Sequence, residues 1–254
     1  MTMVWSPDYE DAPATYIAAV EAADGQGLEE EVKAAYTEFI LGCISDGIWD
    51  AIKASCILAG ARTLAGALVP LKGGAPSKFG TVSNWNYNRK TGLEGDGSTN
   101  YLSTNRNNNA DRQDNKHLSV YVTEGSSGTG GTYMGVDGGA TGASVISRPG
   151  VVRLNAATFG TVDNPGIANG IFGVSRSSSA SFSSRYNGLD KNYNITSETP
   201  SNRILTVFAM DNLGSIVGFT QDRIAFYSIG EALDLALLDT RISDFITAIG
   251  AAIP

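Results

Sequence analysis

The sequence predicts a mainly β protein: an antiparallel β-sandwich with a helical N-terminal part and short helices at both ends. From residue 118 onward, short apolar or alternating runs recur roughly every 8–14 residues between turn clusters, as in sandwiches and barrels. Glycine accounts for 30 of the 254 residues and charged residues for only 17%, which indicates many turns. Strand-like and helix-like runs do not alternate, so a parallel sheet is not favoured.

Residues 1–72 are predicted to form a helical segment that precedes the sandwich. Three helices are expected, over residues 14–23, 28–44 and 48–59, because apolar residues recur there at spacings of three and four. Glycine-containing turns separate the three helices. The shared helix faces are formed by Val32, Tyr36, Phe39 and Cys43 in the second helix and by Ile48, Ile52, Cys56 and Ala59 in the third.

The net charge of −8 lies entirely in this first part of the chain. Residues 1–70 contain 11 acidic and 3 basic side chains, whereas residues 71–254 contain 15 of each. The acidic residues fall on the polar helix faces, so they indicate either a solvated helical unit or an acidic face that docks on a basic partner. The balanced charge of the remaining chain argues against a basic nucleic-acid-binding protein.

A change in composition marks residues 72–78 as a linker, and residues 79–233 are predicted to form the sandwich. Asn187-Gly188 is a strong hairpin signal between strands at 181–186 and 191–195. The predicted strands cover residues 118–123, 132–136, 144–146, 151–154, 170–174, 181–186, 204–210, 216–219 and 223–229.

Residues 231–254 are predicted to form a C-terminal helix with one apolar seam at spacings of three and four residues. The seam consists of Leu235, Leu238, Ile242, Phe245 and Ile249. Two heptads alone make a marginal coiled coil. The seam therefore indicates either packing on the N-terminal helical part of the same chain or contact with a second copy in an oligomer.

Cysteine and histidine are too scarce for the commonest catalytic and metal sites. Cys43 and Cys56 lie in apolar sequence without CxxC spacing, which predicts buried reduced thiols and no zinc site. His117 is the one histidine, so a Ser-His-Asp or Cys-His hydrolase would have to use it. Its place at the start of a strand-like run predicts a surface residue at a strand end instead.

Four segments, in chain order, carry a family resemblance. Residues 92–102, GLEGDGSTNYL, resemble an opening strand with the pattern F-D-G-S-x-D-Y-V, and residues 117–122, HLSVYV, stand where such domains have F-T-V-x-x-W-V. Residues 183–188, SSRYNG, resemble the hairpin L-Y-V-N-G, and residues 222–233 resemble the closing pattern I-x-x-F-x-I-Y-x-R-A-L. On these motifs the region is similar to the laminin-G / concanavalin-A-like superfamily, which implies a jelly roll over residues 79–233.

The whole chain also resembles structural proteins of tailed bacteriophages, of the cyanophage and marine-phage types. The resemblance rests on residues 46–73, 87–109 and 223–242. It implies a non-enzymatic virion part, such as a fibre, a spike or a component appended to the capsid or tail. The expected partners are other virion proteins, further copies of the chain and a host cell-surface glycan; neither nucleic acid nor a membrane is expected.

In this interpretation residues 1–72 anchor the protein and the jelly roll faces outward. The resemblance implies assembly in the host cytoplasm, and this fits residues 1–11, which lack the basic-then-apolar pattern of a signal peptide. No apolar run reaches the roughly 18 residues of a membrane span. Removal of residues 1–70 is expected to leave a soluble sandwich that no longer incorporates into particles.

Catalytic and metal chemistry find little support. Laminarinase-type glucanases of the same fold carry the motif E-x-D-x-x-E. Here Glu94 and Asp96 match its first two positions, but Thr99 occupies the third, so hydrolysis is not predicted. No cofactor is predicted. Oxygen ligands for calcium are offered by Asp96, Asp111, Asp114, Asp137, Asp163 and residues 105–109. These residues lack D-x-D-x-D-G spacing, and turn formation is the alternative for them.

Carbohydrate binding is the alternative function for this fold. It requires exposed aromatic rings beside amides and carboxylates. The candidates are Trp85, Tyr87 and Tyr101, which lie next to asparagines in the sequence. The alternative for these three residues is packing between the sandwich and the helical part, so the sequence offers a lectin-like module without fixing its site.

Overall fold

In the part of the chain that the structure describes, two nine-stranded sheets form a β-sandwich, which confirms the predicted fold class. The computed structural model describes residues 7–126, 130–139, 142–148, 150–163 and 169–254. Within these residues, neighbouring strands pair antiparallel except for one short parallel contact in the second sheet. A layer of helices covers the outer side of the first sheet, so the molecule has three layers.

Sheet A is the sheet that lies between the other two layers. It consists of β1 (Ile52–Ile57), β2 (Pro70–Lys72), β4 (Asn86–Asn88), β5 (Gly92–Glu94), β7 (Lys116–Glu124), β12 (Gly170–Arg176), β13 (Phe182–Tyr186), β14 (Leu189–Tyr193) and β18 (Arg223–Gly230). Its strands follow the order β14-β13-β12-β7-β18-β1-β2, and β5 pairs with β18 and β4.

Sheet B has one face toward sheet A, and no helix of the described residues covers its other face. It consists of β3 (Ser77–Phe79), β6 (Tyr101–Asn107), β8 (Gly131–Asp137), β9 (Ala143–Arg148), β10 (Val151–Ala156), β11 (Gly160–Thr161), β15 (Ile204–Val207), β16 (Met210–Asn212) and β17 (Ser215–Val217). The order is β11-β10-β9-β8-β15-β6-β3, and β16 and β17 form a hairpin beside β8. Strand β3 is therefore one edge of the sheet.

The helices are α1 (Pro7–Glu10), α2 (Ala12–Asp24), α3 (Glu30–Ser45), α4 (Leu64–Ala67) and α5 (Leu235–Ala252). Helix α2 ends at Gly25, whose φ of 70° suits glycine. The side chain of Asp234 caps α5 by accepting hydrogen bonds from the backbone N–H groups of Ala236 and Leu237. Short 3₁₀ turns lie at Trp49–Ala51, Val82–Asn84 and Asn108–Ala110.

Two hydrophobic cores hold the three layers together. The first fills the space between the sheets and contains Leu102, Val120 and Phe172. The second lies between sheet A and the helices and contains Phe39 of α3 and Phe226 of β18. All eight residues of β18 are buried because this strand has a core on each face.

The hairpin predicted at Asn187-Gly188 is confirmed. Asn187 and Gly188 both have positive φ, 47° and 77°, and join β13 to β14. The second strand begins at Leu189, two residues earlier than the sequence suggested.

The helix predicted over residues 48–59 is wrong, because residues 52–57 form strand β1, which lies between β18 and β2. Ala54 and Cys56 face the inter-sheet core, while Ile57 faces the helices. A spacing of four residues, as from Ile52 to Cys56, returns to the same side of a helix and also to the same side of a regular strand. In β1 a register shift between Ile52 and Ala54 turns Ile52 toward the helices, whereas Cys56 faces the inter-sheet core. The spacing alone therefore could not distinguish the two structures.

This strand also changes the expected result of the truncation. Removal of residues 1–70 would delete β1 from the interior of sheet A and uncover the second core. We therefore expect such a truncation to misfold, and a test of attachment needs surface substitutions instead.

The apolar seam of α5 is buried within the chain. Its five members, Leu235, Leu238, Ile242, Phe245 and Ile249, are at most 5% exposed. Phe245 stacks on Tyr36 of α3, with ring centroids 5.4 Å apart, and packs against Phe39 at 5.5 Å. The packing alternative therefore accounts for the seam.

Many acidic side chains of the helical layer are engaged within the molecule. Glu29 pairs with Arg62 and Arg89 at 3.1 and 2.8 Å. The hydrogen bonds from Arg89 lower the pKa of Glu29 to about 2. Asp46 forms a two-pronged ion pair with Arg241 of α5. These acids fasten the layer together and are not available as a docking face.

Candidate functional site

An aromatic patch lies on the outer face of sheet B, at the edge formed by β3 and β6. Phe79 pairs with Tyr101 across the strands, and their rings stack with centroids 4.8 Å apart and planes 7° apart. Phe219 approaches Tyr101 with a centroid distance of 6.4 Å. Leu102 is fully buried between the sheets, so strand alternation turns its neighbour Tyr101 outward. Phe79, Tyr101 and Phe219 are called the aromatic patch below.

The patch presents apolar rings together with one polar group. Phe79 is 45% exposed, and the other two rings are partly exposed. The Tyr101 hydroxyl makes no hydrogen bond to a residue that the structure describes. Partial burial and the charge of Asp211 raise the pKa of Tyr101, so the hydroxyl is protonated and able to donate. Flat rings beside a free hydroxyl suit the C–H face and the hydroxyl rim of a sugar.

Polar side chains continue from the aromatic patch along the outer side of β6. Ser103 donates a hydrogen bond to the amide oxygen of Asn105 at 3.2 Å. The amide nitrogen of Asn105 donates to Ser77 Oγ at 3.1 Å and to the carbonyl of Ala75 at 2.9 Å. Asn105 has a φ of 55°, and β6 is bulged here against β15.

This row of polar side chains leads into an open depression of about 430 Å³. Its lining includes Lys53, Gly73, Asn105, Arg106, Asn107 and Asn109. The lining contains two cations and no carboxylate. These residues, without the aromatic patch, are called the amide depression below.

Both cations of the amide depression keep donors free of partners among the described residues. Arg106 binds Asp111 through Nε and Nη2, which leaves Nη1. Lys53 Nζ has one ion-pair contact, with Glu231 at 3.6 Å. The exposed amide of Asn109 makes no hydrogen bond within the described chain. The depression is therefore rich in donors.

The structure separates the three aromatic candidates of the sequence. Trp85 packs edge-on against Phe208, at 5.4 Å between centroids, and lies against the inter-sheet core. Tyr87 contacts both cores, and its hydroxyl donates to the carbonyl of Ala61 at 2.6 Å. Burial raises the pKa of Tyr87. Both side chains are thus held by packing, and only Tyr101 belongs to an outward-facing cluster.

Sequence reasoning missed Phe79 and Phe219 as partners of Tyr101. Phe79 lies 22 positions before Tyr101 in the chain and Phe219 lies 118 positions after it. The stack forms through the pairing of β3 with β6, a contact that no local pattern signals. The weak signal was Phe79 itself, the first aromatic residue after the predicted linker.

The acidic residues considered for calcium bind donors within the protein. Asp96 accepts hydrogen bonds from three backbone N–H groups of its own turn, from the Thr99 hydroxyl and from the Asn84 amide. Burial alone would raise the pKa of Asp96, but these hydrogen bonds hold it well below its usual value. The other four acids are held by Arg106 (Asp111), the Ser197 hydroxyl (Asp114), Arg153 (Asp137) and Lys191 (Asp163). Among the described residues, no group of three or more acidic, histidine or cysteine side chains is placed to hold a metal ion.

The carboxylates of the partial glucanase motif do not form a catalytic pair. Glu94 pairs with Arg223, and Asp96 is occupied by its own turn. Both groups are therefore used in local structure.

His117 is buried, which makes the prediction of a surface residue wrong. It is 0% exposed at the start of β7. Nδ1 lies 2.6 Å from the carbonyl oxygen of Glu231, so it carries the proton and donates. Nε2 then accepts from Ser228 Oγ at 2.8 Å, and Ser119 Oγ lies 2.8 Å from Ser228 Oγ. Burial lowers the pKa of His117 to about 4.

This Ser-Ser-His chain superficially resembles a nucleophile with its base, but its serines are 0% exposed as well. In the part of the molecule that the structure describes, a substrate therefore cannot reach these three side chains. Its donors and acceptors instead join β7, β18 and the segment before α5.

Cys43 and Cys56 are free and buried, as predicted. Burial raises the pKa of both thiols to about 12. They are therefore protonated and inert at neutral pH.

No protein-family model and no curated protein matches the chain. Among the described residues, no helix is long and apolar enough to cross a membrane.

Proposed function

We propose that this protein is a non-enzymatic structural protein of a bacteriophage virion, which attaches through its helical layer and contacts a neighbour or the host surface through sheet B. The virion assignment rests on the sequence resemblance described above. The observation that carries the division of labour is the three-layer order: helices cover sheet A, whereas the aromatic patch lies on the opposite, outer side of sheet B.

The attachment surface is assigned to the exposed side of α3. Glu31 and Glu38 are two helical turns apart, exposed, and without an ion pair to any described residue. They differ in this from Glu29 and Asp46, which are neutralised by arginines. A basic partner surface fits the remaining charge.

Reversal of this charge tests the attachment. The double variant Glu31→Lys/Glu38→Lys is expected to incorporate into particles at least about fivefold less than wild type, because two attractive contacts become repulsive. Incorporation is measured by quantitative blotting of purified virions. Stability is expected to fall by no more than about 1 kcal/mol, since both side chains are exposed and only Glu31 lies in the first turn of α3, where the helix dipole favours an acid.

The matched control is Glu31→Asp/Glu38→Asp, which keeps the charge and should incorporate normally. Normal incorporation of the lysine variant would contradict the attachment surface. Absence of the wild-type protein from purified particles would contradict the virion role itself.

Carbohydrate binding is the second candidate function, and the aromatic patch specifically favours it. An exposed ring stacked on a second ring is held flat and rigid, so little side-chain entropy is lost when a sugar packs on it. The nearby free hydroxyl of Tyr101 supplies a polar contact. A lectin-like module of the virion would combine both proposals.

The expected result is binding to at least one bacterial surface polysaccharide on a glycan array. Tyr101→Ala and Phe79→Ala are each expected to weaken that binding about tenfold, as loss of a central aromatic contact does. Phe159→Ala is the control, because Phe159 is also exposed, at 53%, but lies outside the patch. Unchanged binding by the Tyr101→Ala and Phe79→Ala variants would contradict the proposed site. If the wild-type protein bound no glycan on the array, the carbohydrate-binding function itself would be contradicted.

A further inference from the structure

We propose that the ligand is an acidic linear oligosaccharide that lies along β6, with an apolar sugar face on the aromatic patch and a carboxylate-bearing sugar in the amide depression. This inference rests on the carbohydrate-binding function proposed above and adds the length and charge of the ligand. Nothing in the aromatic patch alone would select an acidic sugar. The selection comes from the far end of the strand.

The two surfaces are the ends of one continuous strip. Tyr101, Ser103 and Asn105 are alternate residues of β6, and the hydrogen bonds of Ser103 and Asn105 lie on the same outer side. At about 3.4 Å per residue of extended strand, Tyr101 and Asn105 are at most about 14 Å apart, since the bulge at Asn105 shortens β6; this is the length of up to about three linked pyranose rings. A monosaccharide therefore cannot reach both ends, whereas a tetrasaccharide can.

The floor between the two ends is small and polar. Ser77 of β3 and Ser103 of β6 are directly paired, and their short side chains leave room above the sheet. Ser77 Oγ and the amide of Asn105 are already joined at 3.1 Å, so the floor is rigid before a ligand arrives. A chain molecule can cross this floor without displacing a bulky residue.

The charge of the amide depression determines the end of the ligand. Lys53 and Arg106 retain free N–H donors, Asn109 adds an amide, and no acidic side chain lines the depression. The acids that balance the cations, Asp111 and Glu231, lie outside the lining. A carboxylate placed there accepts hydrogen bonds from cationic donors and meets no carboxylate in the lining itself.

The probe is an array of bacterial capsular and exopolysaccharide fragments of two to eight residues, in which each acidic fragment is paired with its carboxyl-reduced form. We expect tetrasaccharides and longer fragments to bind at least about tenfold more tightly than disaccharides, and acidic forms to bind more tightly than reduced forms. Binding of the acidic forms should weaken with added salt.

Two variants test whether the carboxylate of the ligand binds in the amide depression. Lys53→Gln and Asn109→Asp are each expected to weaken binding of acidic fragments about threefold to tenfold and to leave the reduced fragments unchanged. Lys90→Gln is the matched control, because it removes one positive charge from a turn outside the depression. Tyr101→Ala should weaken both forms equally, since the aromatic patch contacts the uncharged part.

These outcomes distinguish a failure of this inference from a failure of the proposed carbohydrate-binding function. The extended binding site for an acidic ligand would be contradicted if binding depended on Tyr101 but were equally tight for acidic and reduced fragments. It would also be contradicted if a disaccharide bound as tightly as longer fragments. Either result would still support carbohydrate binding. Unchanged binding of acidic fragments to Lys53→Gln and Asn109→Asp would contradict the extended site as well. No binding to any fragment would overturn the carbohydrate-binding function, and the strip with it.

Discussion

Arg176→Met is expected to lower the free energy of unfolding by about 4 kcal/mol, because it removes a buried charge-assisted hydrogen-bond hub. Arg176 ends β12, is 0% exposed and has no carboxylate within ion-pair distance among the described residues. Its guanidinium donates at 3.0–3.4 Å to the carbonyl oxygens of Leu154, Ser178, Ser179, Ser181 and Ile195. Burial lowers the pKa of Arg176, but the group stays protonated.

Methionine fills much of the same volume but removes the guanidinium donors from all five carbonyl oxygens, of which that of Ser179 keeps the backbone N–H of Ser197 as a donor. The loops 177–181 and 194–197 are therefore expected to lose their common anchor. Urea denaturation followed by far-UV circular dichroism measures the change in stability. Lysine at the same position should recover only part of the loss, because one ammonium cannot reach oxygens on three segments.

Arg185→Met is the control for this experiment. Arg185 pairs with Asp190 and Asp239, and the Asp190 side chain is 65% exposed, so water replaces much of what is lost. A cost of about 1 kcal/mol is expected for it. If Arg176→Met cost no more than this control, Arg176 would not be the anchor described here.

Acidification is expected to destabilise the protein through His117. Burial is the largest influence on the pKa of His117 and lowers it, and the positive charges of Lys116 and Arg106 act in the same direction. The Glu231 carbonyl and the charge of Asp111 raise the pKa, but by less. The resulting pKa is about 4, compared with a usual value of 6.5. Between pH 6.5 and pH 4, His117 is therefore protonated in the unfolded chain but neutral in the folded protein. Stability is therefore intact above about pH 6.5 and falls as pH falls toward 4, by about 3 kcal/mol in all.

Carboxylates also titrate in part of this range, so the comparison must be made with His117→Asn, which keeps a donor near the Glu231 carbonyl but does not titrate. The variant is expected to be less stable than wild type at pH 7.5, because asparagine cannot replace both hydrogen bonds of the imidazole. The difference between wild type and variant in the free energy of unfolding should be constant above pH 7 and shrink between pH 6.5 and 4. A difference that stays constant down to pH 4 would show that His117 does not titrate as described.

Local patterns in the sequence were enough for features that depend on neighbouring residues. The Asn187-Gly188 hairpin and the seam from Leu235 to Ile249 were predicted from a turn dipeptide and from a helical spacing. The turn and the helical spacing are both set within a few residues of the chain, so they could be predicted without knowledge of the fold, whereas the packing of the seam on α3 is a distant contact that the sequence left open.

Features that depend on distant pairing could not be predicted in this way. Strand β1 was assigned to a helix because a four-residue spacing fits both periods, and only its neighbours β18 and β2 decide between them. His117 is buried, and its Nδ1 donates to the carbonyl oxygen of Glu231, which lies 114 positions later in the chain. The aromatic patch follows the same rule, since Phe79 and Tyr101 become partners only when β3 joins the edge of sheet B.

The position of β1 has a consequence for how the protein is made. Its partner strand β18 lies far along the chain: Tyr227 and Cys56, joined side chain to side chain, are 171 residues apart. During synthesis β1 therefore cannot pair with β18 until residues 223–230 have left the ribosome. Pairing of β1 with β18 closes a long loop, and contacts between residues so far apart in the chain make folding slow. Until β18 is available, the nascent chain is open to aggregation or to binding by chaperones.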